Sequence, residues 1–188
     1  MAFYRTVKEP KRSLTEEVII MNVKLTVAIV SLIGLITLPV VSESSPPEGI
    51  ELRPDVSCLA MNIYHEARSE SLAGQYAVAD VVLNRVESKR FPNTVCGVVH
   101  QARLWEGNPI RNKCQFSWYC DGKTDTPSEM DAWYRSLSIA TQILMVGKFR
   151  GLTEGATHYH TEYVDPFWND SMILIGGIGD HIFYLETL

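Results

Sequence analysis

No Cys-x-x-Cys pair and no His-Glu-x-x-His segment occurs in these 188 residues, so the zinc-site spacings most readily recognised in a sequence are missing. Surplus positive charge is missing too. Lys and Arg number 17 against 22 Asp and Glu, a formal net charge of −5, whereas a nucleic-acid footprint is normally basic and clustered. Nucleic acid is therefore discarded as a partner. Length sets a third limit: with 46% apolar and 21% charged residues, the chain accommodates one globular domain and a non-globular segment, without a second large core. No repeated binding module is present.

Residues 1–24 are polar and basic, with Arg5, Lys8, Lys11, Arg12 and Lys24, and they precede an uncharged run from Leu25 to Val41. The run is slightly short for a membrane span of about 20 residues and long for a signal-peptide core, so signal peptide and signal-anchor both stay open. Basic residues before it and Glu43, Glu48 and Glu51 after it would hold the N-terminus in the cytoplasm and send the rest outward. Pro39 and the small-residue stretch Val40-Val41-Ser42 favour cleavage. A start at Met21 would give a signal peptide of ordinary proportions. Residues 42–54, rich in Ser, Pro, Gly and Glu, read as a linker, and the globular domain is expected over 55–188. Export is the expectation, to periplasm, cell wall or medium, with a membrane tether through residues 25–41 if these are not removed.

Four cysteines, Cys58, Cys96, Cys114 and Cys120, follow the hydrophobic run. In an exported domain they favour two disulfides, with three possible connectivities, and the alternative is four buried thiols.

In the segment Cys58-Leu-Ala-Met-Asn-Ile-Tyr-His-Glu66-Ala-Arg-Ser-Glu70, the residues Val56, Leu59, Ala60, Ile63 and Ala67 recur at helical steps. They predict the buried stripe of a helix opened by Asp55 or Ser57, with Glu66 beside it and Glu70 on nearly the same face. Glu66 must then either pair with a cation such as Arg68 or Arg85 or line a cavity where desolvation raises its pKa. A second helix is expected over Gln75–Val86, with Tyr76, Ala79, Val82, Leu83 and Val86 inward and Phe91-Pro92-Asn93 ending it. A helical turn over Val95–Gln101 leads into a loop holding Gly107, Asn108, Pro109, Lys113 and Gly122. Within it, Cys114-Gln-Phe-Ser-Trp-Tyr-Cys120 either presents flat rings to a sugar or fills the space beneath the loop. Ser128-Glu-Met-Asp131 has the spacing of a capping box and opens a helix with Trp133, Leu137, Ala140 and Leu144 inward, stopped by Gly147. The runs Ala156–His160 and His181–Tyr184 read as an antiparallel pair around a Gly-rich turn. The fold class is α+β, mostly helical with a small antiparallel sheet.

Six blocks in order are similar to the SleB-type cell-wall hydrolase family, which includes spore-cortex-lytic catalytic domains and domains of phage lysis proteins. They are Ile63–Glu70, Ala77–Arg85, Phe91–Val95, Cys114–Trp118, Gly155–His160 with Val164–Trp168, and Gly179–Tyr184. The resemblance implies a lysozyme-superfamily-like domain that cleaves the MurNAc–GlcNAc bond of peptidoglycan, usually as a lytic transglycosylase, with Glu66 as catalytic acid. A monomer without cofactor or metal is expected. The family usually has Gly where this chain has Ser69, and Ser adopts a positive φ only at a cost, so the backbone carrying Glu70 is expected to differ.

One carboxylic acid suffices for a lytic transglycosylase, while a hydrolytic muramidase needs a second carboxylate, for which Glu70 is nearest in sequence. Gln115, Phe116, Trp118, His158, Tyr159, His160 and His181 are candidates for substrate binding. Two readings compete. His65, His158, His160 and His181 would be the ligands of a zinc-dependent amidase, although their spacing matches no recognised pair. Alternatively Trp118, Tyr119, Tyr159 and Trp168 would stack on sugars in a non-catalytic wall-binding module.

Overall fold

The computed structural model describes residues 52–186. The hydrophobic run 25–41, the Met21 start and the linker as far as residue 51 lie outside the described residues. Among the described residues, no helix is long and apolar enough to cross a membrane.

Helix α1 spans Pro54–Ala67, one residue earlier than the expected domain start. Pro54 occupies its first turn, where the missing N–H is harmless and φ is already set. Neither Asp55 nor Ser57 caps it. Arg53 holds the N-cap position without a side-chain cap, and Asp55 pairs with Arg53 at 2.7 Å. The expected stripe is buried, with Leu59, Ala60 and Ile63 fully enclosed. Truncating Leu59 or Ile63 to Ala would cost about 2–5 kcal/mol, the range for buried aliphatic side chains.

Helix α2, Leu72–Glu87, begins three residues before the expected span because Ser71 caps it, its Oγ accepting from the Gly74 amide at 3.1 Å. It ends at Ser88, ahead of Phe91-Pro92-Asn93. Every residue from Gly74 to Arg85 is buried, so α2 is a central helix covered all round rather than a helix with one inward stripe. Its polar residues are absorbed by the segment leading into the sheet. Asp80 accepts from Arg150, from the Gly151 and Thr153 amides at 3.0 Å each and from Thr153 Oγ1 at 2.7 Å. Asn84 donates to the Ala156 carbonyl at 2.9 Å. Buried polar atoms of this kind are tolerated because they are hydrogen-bonded.

Helix α3, Val95–Val99, is capped by Thr94 and joined to α1 by the disulfide Cys58–Cys96. Closing that 38-residue separation lowers the entropy of the unfolded chain by an amount worth about 4 kcal/mol in the loop-closure picture. The expected loop beyond it is instead a hairpin of β1, Ala102–Trp105, and β2, Asn108–Cys114. Glu106 and Gly107 form its two-residue turn with φ of 49° and 82°. Positive φ at both central positions marks a type I′ turn, which Asn-Gly usually signals and Glu-Gly does not.

A 3₁₀ turn, Ser117–Cys120, returns the chain to the core and is stapled by Cys114–Cys120. Helix α4, Met130–Val146, ends at Gly147 in the left-handed conformation, as expected. The capping box does not form. The Ser128 and Glu129 amides, which precede the first helical residue, both donate to the Tyr64 hydroxyl at 3.1 Å, so a tyrosine on α1 anchors the entry to α4 without a side-chain cap. The buried stripe is Ser136, Ile139, Ala140 and Ile143, with Trp133, Leu137 and Leu144 at its margin. Helix α1 packs against α2, α3 and α4.

Strands β3, His158–Thr161, and β5, His181–Leu185, pair antiparallel in the expected way, with Tyr159 opposite Phe183 and Thr161 opposite His181. The Gly-rich stretch between them is no mere turn, since Ile173–Ile178 forms β4 on the other side of β5.

Candidate active site

Glu66 stands on the last turn of α1, next to the buried Ala67, and is only partly exposed. Its Oε2 accepts from the Tyr159 hydroxyl at 3.2 Å. Burial raises its pKa above the usual carboxylate value. The Tyr159 hydrogen bond and the Arg85 cation pull it down, without cancelling the effect of desolvation. Tyr159 is itself pushed well above the usual phenol value by burial and by Glu66, so it stays a neutral donor. Neither expected cation pairs with Glu66. Arg68 pairs with Glu129 at 2.9 Å, and Arg85 donates through Nε to the Thr157 carbonyl at 2.7 Å. The Arg85 guanidinium lies between the Phe91 and Phe116 rings, 5.2 Å from each centroid, and acts on Glu66 as a buried charge.

Glu70 has different surroundings. Helix α1 stops at Ala67, so Glu70 does not continue the Glu66 face. It sits in the α1–α2 connection, partly buried. Its Oε2 accepts from the Asp180 amide at 3.2 Å, and its Oε1 lies 3.4 Å from His181 Nδ1. That approach is not a hydrogen bond, because Nδ1 has no hydrogen-bond partner. Burial holds the His181 pKa below its usual value against the upward pull of Glu70 and Asp180, so the ring is neutral at pH 7. The β4–β5 turn is shaped around this carboxylate. A Cβ on Gly179 would lie 2.2 Å from Glu70 Oε2, and φ at Gly179 is +61°. Ser69 carries no positive-φ strain: among the described residues the positive-φ positions other than glycine are Glu106, Asn112, Phe149 and Glu154.

Period-two alternation divides the sheet residues. Tyr159 and His181 share one face, their rings 5.0 Å apart, and reach toward Glu66 and Glu70. His158 and His160 share the opposite face and pack around Trp168 at 5.4 and 5.6 Å. His160 also donates through Nδ1 to the Thr161 carbonyl at 2.8 Å and contacts the Tyr184 hydroxyl at 3.0 Å. His65 lies apart from all three, stacked on Trp118 at 4.6 Å and donating through Nε2 to the Asp125 carbonyl at 3.0 Å. The four imidazoles that the amidase reading would need are thus held at three places, with His158 and His160 together and His65 and His181 each apart.

The stapled aromatic loop divides as well. Phe116 is 3% exposed and Trp118 8%, so both belong to the core and neither offers a free ring face to solvent. Trp118 donates to Asn62 Oδ1 at 3.2 Å. One edge of it reaches a polar cavity of about 330 Å³, lined also by Tyr64, His65, Arg68 and Asp125, one residue along α1 from Glu66. Gln115 is exposed and lies beyond this cavity at the base of the hairpin. The sequence singled out Arg85 only as a pairing partner. Its place as a buried charge near Glu66 depends on Phe91 and on Phe116, the latter from a separate part of the chain.

The cell wall hydrolase family model matches residues 69–184, which includes Glu70, Arg85, Tyr159 and His181 and begins just after Glu66. The spore cortex-lytic enzyme of Bacillus cereus is 51% identical over 51 residues, covering 27% of this chain and 20% of that protein. That of Oceanobacillus iheyensis is 46% identical over 59 residues, covering 31% and 21%. The match spans about a fifth of the length of these relatives. Among solved structures, the catalytic domain of the germination-specific lytic transglycosylase SleB from Bacillus anthracis is 31% identical, with a TM-score of 0.52 over 75% of this chain and all of that domain. The α+β arrangement of four helices and small antiparallel sheets is thus shared with a SleB catalytic domain, and the chain belongs to the cell wall hydrolase family.

Proposed function

We propose that this chain cleaves the MurNAc–GlcNAc β-1,4 bond of peptidoglycan as a lytic transglycosylase, with Glu66 as general acid and then general base. The supporting observation is the desolvated carboxyl of Glu66 with a raised pKa, hydrogen-bonded by a phenol that stays neutral. A carboxyl that holds its proton toward neutral pH can protonate the leaving glycosidic oxygen. The resulting carboxylate then takes the proton of the muramyl 6-hydroxyl, whose oxygen closes onto C1 to give the 1,6-anhydro sugar. No water enters, and Glu66 ends as it began, protonated. The cavity beside His65 and Trp118 is a suitable place for a sugar next to the scissile bond.

In this reading Glu70 is a positioning residue. It pins the β4–β5 turn and with it His181, against which the Tyr159 ring rests. A hydrolytic muramidase would instead use Glu70 to direct water or as nucleophile, but Glu70 already accepts from a backbone amide and is closed in by Gly74 and Gly179. The Bacillus anthracis relative is a lytic transglycosylase, which agrees with the single-carboxylate reading. Two disulfides suit an oxidising compartment, and export through residues 25–41, cleaved or retained as a tether, belongs to the proposal.

Clearing of permeabilised cell walls tests the assignment. Glu66→Gln should fold like the parent and lose activity by about 10²–10⁴, as expected for removal of a general acid. A variant that keeps more than about a tenth of the parental rate would remove Glu66 from that role.

A further inference from the structure

The β1–β2 hairpin departs from the rest of the domain. Isolated two-stranded ribbons are marginal in water, yet from Arg103 to Lys113 every residue of it is exposed. What fixes it is its base: Cys114–Cys120, and Arg111 donating through Nε to the Asp121 carbonyl at 3.1 Å. Its charge runs against that of the chain. In a protein of net charge −5 the hairpin carries Arg103, Arg111 and Lys113 against Glu106 alone.

Arg103 and Lys113 form no ion pair among the described residues. With Gln101, Ala102, Cys114 and Gln115 they line a groove of about 230 Å³ at the hairpin base. Gln101 Oε1 is buried there without a hydrogen-bond donor. A buried acceptor without a donor costs about 1–3 kcal/mol, so a ligand N–H that reached it would remove a standing penalty. Two unpaired cations next to an unfilled acceptor ask for a ligand that combines carboxylates with secondary amides. In a peptide-bearing strand the lactyl carboxyl of each muramic acid is tied up as an amide, so the free carboxylates are those of the stem peptides, which carry secondary amides as well.

We infer that this groove binds the carboxylate-bearing stem peptides of the glycan strand, through Arg103 and Lys113 with Gln101 accepting a peptide N–H. The inference rests on the glycan-cleaving reading above and adds the part of the substrate that does not react. It makes peptide-bearing strands the preferred substrate over bare ones.

Kinetics of the full chain on two substrates test it: intact sacculi, and glycan strands whose peptides have been removed enzymatically and whose freed lactyl carboxyls have been capped as neutral methylamides. The parent should show a KM lower by about tenfold on peptide-bearing strands, the size of one to two charge-assisted contacts. The Arg103→Gln/Lys113→Gln double variant should lose that advantage with kcat unchanged, and the charge-conserving Arg103→Lys/Lys113→Arg variant should restore most of it. Titration of a soluble tetrapeptide stem by calorimetry gives a readout free of turnover, with binding to the parent and none to the double Gln variant. Equal KM of the parent on both substrates, equal losses of the double variant on both, or tighter binding of a phosphate polymer than of the stem peptide overturns the inference. Cleavage of neither substrate by the parent defeats the glycan-cleaving reading instead, and the calorimetric titration still decides the groove.

Discussion

Glu66 and Glu70 are four residues apart in one motif, yet the fold treats them in opposite ways. Glu66 stands on a helix whose next residue is core, and it keeps a single hydrogen bond, from a neutral phenol. Glu70 lies past the helix end, accepts from a backbone amide with the His181 ring beside it, and fills a space kept open by Gly74 and Gly179. Proton chemistry needs a carboxyl whose charged form is under-stabilised, and that describes Glu66. Holding a turn needs a carboxylate enclosed by that turn and bonded to its backbone, which describes Glu70. Environment, rather than residue type or spacing, divides the roles.

Substitution at both positions is the strongest way to break the contrast. Glu66→Gln should abolish cleavage by the two to four orders of magnitude stated above, whereas Glu70→Gln, which keeps the shape and an acceptor for the Asp180 amide, should reduce kcat by less than about tenfold. Equal losses at the two positions would make Glu70 a catalytic partner. Gly179→Ala comes next in size. Its Cβ would meet Glu70 Oε2 at 2.2 Å, and the +61° φ is unfavourable for any residue with a Cβ. We expect a loss of about 1–3 kcal/mol in chemical denaturation, the scale of local backbone strain, together with reduced activity. Full stability in that variant would show that the turn does not depend on Glu70.

Smaller effects sharpen the contrast through pH. Tyr159→Phe removes a hydrogen bond that favours ionised Glu66, so the Glu66 pKa should rise further and the alkaline limb of the activity profile should move to higher pH. An unmoved or acid-shifted limb would separate Tyr159 from the titration. The stability of Glu66→Gln should also depend on pH. A folded-state pKa above the unfolded value means that the folded parent binds the proton more tightly, so ionisation costs it stability as pH rises beyond about 4.3. The Gln variant should therefore match the parent near pH 4 and exceed it at pH 7.

The helical part of this arrangement was legible because it is local. Apolar steps in α1 marked the buried face beside Glu66, Gly147 marked the end of α4, and alternation marked β3 and β5. What depends on distant contacts was not. The Ser128 capping box lost to the Tyr64 hydroxyl, 64 residues away in sequence. The burial of α2 on all sides follows from Asp80 and Asn84 binding a segment some 70 residues on. The β1–β2 hairpin leaves no signal of this kind, because Glu-Gly is an uncommon type I′ turn and strands exposed on both faces show no apolar alternation. At the candidate site, motif order points to Glu66, Tyr159 and His181, and the fold brings Tyr159 into contact with both of the others. Spacing alone suggested that Glu70 continues the face of Glu66, and the end of α1 at Ala67 removes that basis.

Mass spectrometry of the muropeptides released from purified peptidoglycan tests the division of roles most directly. If Glu66 works alone, the new muramyl ends carry the 1,6-anhydro ring and are lighter by about one water than their reducing counterparts, because the sugar's own hydroxyl replaces water as the attacking group. Reducing muramyl ends as the main product would contradict the account, since a second carboxylate would then have to direct water, and Glu70 would be the first candidate.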